Sequence, residues 1–182
     1  MIIEKTFIED LVIVSPSVFE DSRGCFFEAY NQAEFRENGI MYNFIQDNQS
    51  FSTKGVIRGL HLQISPFAQA KLVRVLQGEI LDVAVDLRKD SPTYGQHFSV
   101  RLSAENKKQL MVPHGFAHGF SVLSDTASVM YKVGQLYHKN SERGIRYDDP
   151  TLAIDWQINL KDVIVSEKDL VLPNFDQIDW EF

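Results

Sequence analysis

Residues 80–88 read Ile-Leu-Asp-Val-Ala-Val-Asp-Leu-Arg, a run that takes apolar and polar positions in turn. Leu81, Val83, Val85 and Leu87 point one way and Asp82, Ala84, Asp86 and Arg88 the other. A helix would scatter these positions around its axis; only a strand sorts them onto two faces. The run therefore predicts a half-buried β-strand, apolar toward the core and polar toward water. Phe98, Val100 and Leu102 repeat the pattern after the turn signal Asp90-Ser91-Pro92-Thr93. Further strands are expected at 10–14, 25–30, 43–50, 55–63, 70–77, 109–112, 117–123 and 127–137. Short Gly, Pro, Asn and Asp turns separate many of them. Thirteen Phe in 182 residues suit a packed β core.

Helical signals are few. Asn31-Gln-Ala-Glu34 ahead of Phe35 reads as a capping box, with Gly39 as the stop. Ser166-Glu-Lys-Asp169 reads as a second short helix start. Ten or so short strands with few helices point to an all-β sandwich, barrel or jelly roll. No repeat, low-complexity tract or linker divides the chain, so residues 1–182 are expected to form a single domain. GxGxxG and Walker loops are absent from the sequence.

The formal charge of −7 argues against a nucleic-acid coat or a protein drawn to anionic lipid. An acidic protein can still bind a small anion in a local basic pocket. The one cysteine, Cys25, can form neither an intramolecular disulfide nor a cysteine zinc cluster. Between Gly24 and two Phe it reads as a small buried hydrophobe. The N-terminus carries Glu4, Glu9 and Asp10 in its apolar stretch and does not read as a signal peptide. No apolar run nears the length of a membrane helix. The expectation is a soluble cytoplasmic protein.

Three segments gather polar residues among apolar ones. In Arg58-Gly-Leu-His61-Leu-Gln63 a strand puts His61 and Gln63 on one face and Leu60 and Leu62 on the other. The second segment is Lys71-Leu-Val-Arg74-Val, and the third Pro113-His-Gly115-Phe-Ala-His118-Gly119-Phe120. The P-x-G-x-x-H spacing of the third resembles the second motif of cupins. Metal-binding cupins place H-x-H and then a Glu in their first motif; this chain has His61-Leu-Gln63 and, further on, Lys71. An ammonium group is a poor neighbour for a divalent ion. The reading is a metal-free cupin.

Arg58-Gly-Leu-His61, Gln69-Ala-Lys71, Asp82-Val-Ala-Val-Asp86-Leu-Arg88, Ser91-Pro-Thr-Tyr-Gly95, Gly115-Phe-Ala-His-Gly-Phe120, Tyr131-Lys132 and Asp149-Pro150 occur in this order. Together, over roughly residues 2–173, they resemble the dTDP-4-dehydrorhamnose 3,5-epimerase family. The resemblance implies a cupin-type jelly roll with a few short helices. It implies a homodimer with no metal and no cofactor, which inverts C3 and C5 of a dTDP-4-keto-6-deoxy sugar. It makes His61 the general base, Asp169 its carboxylate partner, Tyr131 the proton donor and Lys71 the group beside the 4-keto oxygen. Arg23, Glu28, Gln46, Asp47, Asn48, Arg58, His118, Glu142 and Lys168 match positions that hold the sugar and diphosphate. Tyr137 matches an aromatic stacked on thymine. An exchange of N-terminal strands between two copies would cover open sheet edges.

The residue types suit that chemistry. C3 and C5 both flank the C4 ketone, so one carbonyl activates both. A histidine accepts a proton near neutrality, and a carboxylate on its second nitrogen fixes the tautomer. A tyrosine can return a proton to a basic enolate carbon. A lysine can stabilise the enolate oxygen, and the forked guanidinium of Arg23 or Arg58 matches a diphosphate.

Each residue also has a purely structural account. His61 could be a satisfied core histidine, Lys71 an edge-strand charge and Tyr131 a core aromatic. Tyr137 could sit on an exposed turn, and Arg23 could pair with Asp21 on the surface. Asp169 at N3 of its capping box could simply start a helix. His97, His114 and His138 are read as structural or exposed. The chain departs from the family pattern at Leu62 and in the loop Ser65-Pro-Phe-Ala, away from the proposed catalytic positions. A single-site epimerase, a keto-isomerase, a metal-dependent cupin dioxygenase and a non-catalytic dTDP-sugar-binding module are the rival readings. Cheap tests separate them: deuterium at each carbon, the product ketone's position, bound metal, and the effect of His61→Ala.

Overall fold

A computed structural model describes residues 1–180 and Phe182. Two antiparallel sheets pack face to face. The first holds six strands in the order β1 (Ile2–Lys5), β2 (Val12–Ser15), β10 (Gln109–Val112), β7 (Lys71–Gln77), β12 (Thr126–Val133) and β5 (Gln46–Thr53). The second holds five: β13 (Glu142–Gly144), β6 (Ile57–Gln63), β11 (Phe116–Val122), β8 (Glu79–Asp86) and β9 (His97–Ser103). Most neighbours are non-consecutive in the chain, which marks a jelly roll, as the family resemblance implies. A hairpin of β3 (Val18–Asp21) and β4 (Gly24–Phe27) pairs only with itself.

The apolar interior between the sheets contains Val73, Val75, Ile80, Ala84, Leu110, Phe120 and Val129. A second apolar layer lies on the outer face of the five-stranded sheet. There Leu60, Leu62, Leu81, Val83, Val85 and Leu87 pack against Ile145, Leu152 and Trp156 from the chain beyond β13. Asp149 fixes that covering segment by accepting from the Leu152 amide at 2.7 Å and the Phe175 amide at 2.7 Å. The Trp156 carbonyl accepts from Ser121 Oγ at 2.7 Å.

This layer corrects the reading of residues 80–88. The strand is buried on both faces, and Asp82 and Asp86 are 0% exposed. The alternation survives, but it separates two interiors rather than core from water. Asp86 is satisfied by the turn that follows, accepting from Arg88 Nε at 2.9 Å, Ser91 Oγ at 2.6 Å and Thr93 Oγ1 at 2.8 Å.

Helix α1 (Gln32–Glu37) starts where its sequence says. Asn31 Oδ1 accepts from the Ala33 amide at 3.0 Å. Gly39, at φ +82°, ends it in a Schellman motif, with bonds from Ile40 N to Phe35 O at 2.9 Å and from Gly39 N to Arg36 O at 3.0 Å. The buried side chains of Phe35 and Ile40 share one apolar cluster, as that motif favours.

Three expectations fail locally. Strands β1, β3 and β13 stand where none was foreseen. The run 127–137 stops being a strand after Val133. Cys25 is exposed on the projecting hairpin, which also exposes Phe19 and Phe26. Those aromatics read as core residues only while a strand is assumed to lie inside a sheet.

Candidate active site

A cavity of about 630 Å³ opens between the two sheets. The five-stranded sheet contributes Arg58, His61 and His118 to its lining, and the six-stranded sheet contributes Asn48, Ser50, Lys71 and Tyr131. Glu142 enters from β13, Tyr137 from the loop after β12, and Lys168 and Asp169 from the short helix α2 (Glu167–Leu170).

Simple alternation would put Arg58 and His61 on opposite faces, since they stand three positions apart. The register between β6 and β11 slips by one residue here: His118 faces His61, yet Phe120 faces Arg58. The bulge turns both side chains into the cavity. Gly59 makes it possible. Its φ is +121°, and a Cβ there would lie 2.5 Å from Gly119 Cα and 2.7 Å from the His118 carbonyl oxygen.

His61 Nε2 meets Asp169 Oδ1 at 2.7 Å. The Asp169 side chain is buried, while the His61 side chain keeps 29% exposure. Burial pushes the Asp169 carboxyl up, but bonds from His61, the Gly59 amide and Ser166 outweigh it and hold the pKa below the usual carboxylate value. The group is thus an acceptor only, so His61 Nε2 carries a hydrogen and a neutral ring has its lone pair on Nδ1. Ser166 caps α2 by accepting from the Asp169 amide at 3.2 Å. The backbone of Asp169 therefore serves the helix start, while its carboxylate serves His61.

Lys71 Nζ donates to the His61 carbonyl oxygen at 3.1 Å, across the gap between the sheets. Burial lowers its pKa to about 8, with Asp82 and Glu142 pulling the other way. Tyr131 Oη lies 3.1 Å from Ser50 Oγ, and burial raises its pKa well above that of a free phenol. The phenol therefore stays protonated and can donate. His118 Nε2 binds Asp82 Oδ1 at 2.8 Å. Tyr137 Oη donates to Glu142 Oε2 at 2.8 Å, and Lys168 Nζ reaches the same oxygen at 2.6 Å.

Of the positions singled out in the sequence, His61, Lys71, Tyr131, Asp169, Asn48, Arg58, His118, Tyr137, Glu142 and Lys168 line one cavity. Arg23, Glu28, Gln46 and Asp47 do not. Arg23 sits on the projecting hairpin with its side chain 88% exposed, bonded to Asp21. Glu28 accepts from Asn31 Nδ2 at 3.4 Å, Gln46 donates to Asn48 Oδ1 at 2.7 Å, and Asp47 pairs with Lys132 at 2.8 Å. Sequence reasoning missed Ser50 and Asp82. An aspartate amid Leu and Val was the available signal for Asp82, and it was read as a solvent-facing position.

An imidazole backed by a carboxylate and a protonated phenol stand on opposite sheets of one cavity, with the Lys71 ammonium bonded to the His61 carbonyl. A carbon acid bound there can lose a proton to one side and regain it from the other, which is the work of an epimerase. The family model for dTDP-4-dehydrorhamnose 3,5-epimerase matches residues 5–177, and the chain belongs to that family. A dTDP-4-dehydrorhamnose 3,5-epimerase of Shigella flexneri is 51% identical over 177 residues, covering 97% of each chain. The crystal structure of the enzyme from Elizabethkingia anophelis superposes with a TM-score of 0.95 at 50% identity, covering 99% of each chain. That of a dTDP-6-deoxy-D-glucose-3,5-epimerase from Legionella pneumophila, in complex with dTDP-4-keto-L-rhamnose, superposes with a TM-score of 0.93 at 49% identity, covering 97% of this chain and 94% of the other.

Proposed function

We propose that His61 and Tyr131 carry a 3,5-epimerisation in which a dTDP-4-keto-6-deoxy-D-glucose becomes dTDP-4-keto-L-rhamnose. The observation that carries this is the placement of His61–Asp169 and Tyr131 on the two opposed sheets of one cavity. His61 Nδ1 takes the proton α to the ketone, and Asp169 stabilises the imidazolium formed. Lys71 donates to the C4 oxygen as negative charge gathers there. Tyr131 then returns a proton to the opposite face. Inversion at both carbons requires the sugar ring to present C3 and C5 in turn to the same pair. Arg58, His118, Asn48, Glu142 and Lys168 hold sugar and diphosphate, and Tyr137 stacks on the thymine.

The proposal takes residues 1–182 as one domain, supported by the packing of the C-terminal segment on the sheet that bears His61. It takes the working unit as a homodimer. Support comes from the β3–β4 hairpin, which holds Arg23 away from the chain's own cavity and exposes Phe19 and Phe26. A second copy's hairpin would bring Arg23 and Glu28 to this cavity. Mixing Arg23→Ala with His61→Asn chains tests this: activity regained in the mixture supports shared sites, and none argues against them. Among the described residues no helix is long and apolar enough to cross a membrane. The acidic composition and single cysteine favour the cytoplasm.

The decisive experiment is NMR of the chelator-treated protein with dTDP-4-keto-6-deoxy-D-glucose in D₂O. Deuterium at both C3 and C5 is expected. Label at one carbon alone would make it a single-site epimerase, and no label would remove His61 as base.

A further inference from the structure

Gln63 shares a strand face with His61 and lines the cavity, yet nothing in the reaction uses it. It is 4% exposed. Its amide nitrogen donates to the Phe67 carbonyl at 2.6 Å and to the Leu136 carbonyl at 3.2 Å. Its carbonyl oxygen accepts from the His138 amide at 2.7 Å. A glutamine amide has two N–H donors, so both are spent on backbone and none is left for a substrate oxygen.

The partners belong to two loops, the one after β6 and the one after β12. Gln69 Nε2 adds a bond to the Gln135 carbonyl at 2.6 Å, and the rings of Phe67 and His138 stack with centroids 3.8 Å apart and 12° between planes. Leu136 and His138, both held by Gln63, are the two chain neighbours of Tyr137. Tyr137 itself is 57% exposed at the cavity rim. An exposed aromatic on a loop would ordinarily sample many positions, and a ligand that stacks on it would bear the entropy of ordering it. Here the backbone on both sides is clamped from a buried strand.

We infer that Gln63 is a positioning residue for the nucleotide. By holding the backbone either side of Tyr137 it presents that ring, already ordered, as the platform for the base. The inference rests on the proposed stacking role of Tyr137. It also gives a use to the strand position where metal-binding cupins carry their second histidine.

Gln63→Met keeps length and removes all three bonds. Calorimetry with dTDP and deuterium exchange at saturating sugar separate binding from chemistry. The dTDP dissociation constant is expected to rise roughly tenfold, the scale of a lost preorganised stacking contact. The saturated exchange rate should stay within about twofold of the parent, because the clamp touches no reacting atom. The double variant Gln63→Met/Tyr137→Ala should bind dTDP no more weakly than Tyr137→Ala alone, since the two residues act as one unit. A saturated rate that falls while dTDP affinity holds would place Gln63 in the chemistry and overturn the inference, as would additive losses in the double variant. Should Gln63→Met not fold, Gln63→Glu, which keeps an acceptor for the His138 amide and drops both donors, is read in the same way. Tyr137→Ala binding dTDP as tightly as the parent would overturn the stacking role itself. Tyr137→Ala weakened with Gln63→Met unchanged would overturn the part of Gln63 alone.

Discussion

His61 and His118 are register partners across β6 and β11, and each binds an aspartate through Nε2, at 2.7 Å to Asp169 and at 2.8 Å to Asp82. Residue types and distances match, but the surroundings do not. The His61 side chain is 29% exposed, and its aspartate arrives from a helix far along the chain. The His118 side chain is 4% exposed, and its aspartate stands on the neighbouring core strand. Solvent and the cavity reach the His61 ring, which is what the role of base proposed for it requires. His118 is locked into the sheet and offers a fixed polar edge. Asp82 Oδ2 has no hydrogen-bond partner among the described residues, and the charge on that carboxylate acts on Lys71 and Tyr131 instead. A histidine–aspartate pair is thus a motif without a fixed meaning; exposure and the origin of the carboxylate decide between base and scaffold.

The sharpest way to break this contrast is to remove each ring in turn. His61→Asn should lower deuterium exchange, and Tyr131→Phe the formation of inverted product, each by about 10²–10⁴-fold at saturating sugar. His118→Asn should act mainly on sugar affinity. A saturated rate as damaged in His118→Asn as in His61→Asn would erase the distinction.

Lys71 stands between the pairs, and Lys71→Met should lower exchange by about 10²–10³-fold. It also sets a pH limb. The ammonium form is the useful one, and its pKa lies at about 8, so the parent's rate should fall as pH rises through that value. The stability sign is opposite. The folded protein gives up this proton more readily than the unfolded chain, so Lys71 costs stability most below pH 8 and progressively less toward 10.5. That gap corresponds to about 3 kcal/mol at neutral pH. Thermal melts should show Lys71→Met above the parent at pH 7, with the difference shrinking toward pH 10.

Asp169→Asn frees the His61 tautomer and should lower the saturated rate by about 10²-fold, with little change in melting temperature, because the helix cap uses the Asp169 backbone. Asp82→Asn should do the reverse. Its saturated rate should drop by about tenfold or less, while unfolding becomes easier by about 1–3 kcal/mol, the scale for disturbing a buried hydrogen-bonded polar group. Denaturant melts beside exchange rates check both. Equal stability losses in the two variants would show that the pairs are not built differently.

Much of this was legible in the chain. Strands β8 and β9 follow from alternation, β7, β10, β11 and β12 from apolar runs between turn residues, and α1 from Asn31 and Gly39. What stayed hidden came from distant parts of the chain. Nothing within residues 80–88 states that Leu152 and Trp156 will cover one face, so Asp82 was placed toward water. The common facing of Arg58 and His61 depends on a bulge, which strict alternation cannot express. Cys25 reads as a buried hydrophobe because nothing in its neighbourhood says that a hairpin will leave the body of the fold.

The covering segment also bears on when the protein can begin to work. A growing chain that has emerged only as far as residue 160 already contains both sheets, Lys71 and Tyr131, yet His61 has no carboxylate to orient it. That carboxylate follows on α2, whose start is capped by Ser166 and whose Asp169 reaches back to His61. Arrival of α2 and orientation of the His61 ring therefore coincide. A chain clipped ahead of α2 keeps His61, Lys71 and Tyr131 but leaves the imidazole without the carboxylate that orients it, so its exchange rate should fall by at least the roughly 10²-fold expected of Asp169→Asn.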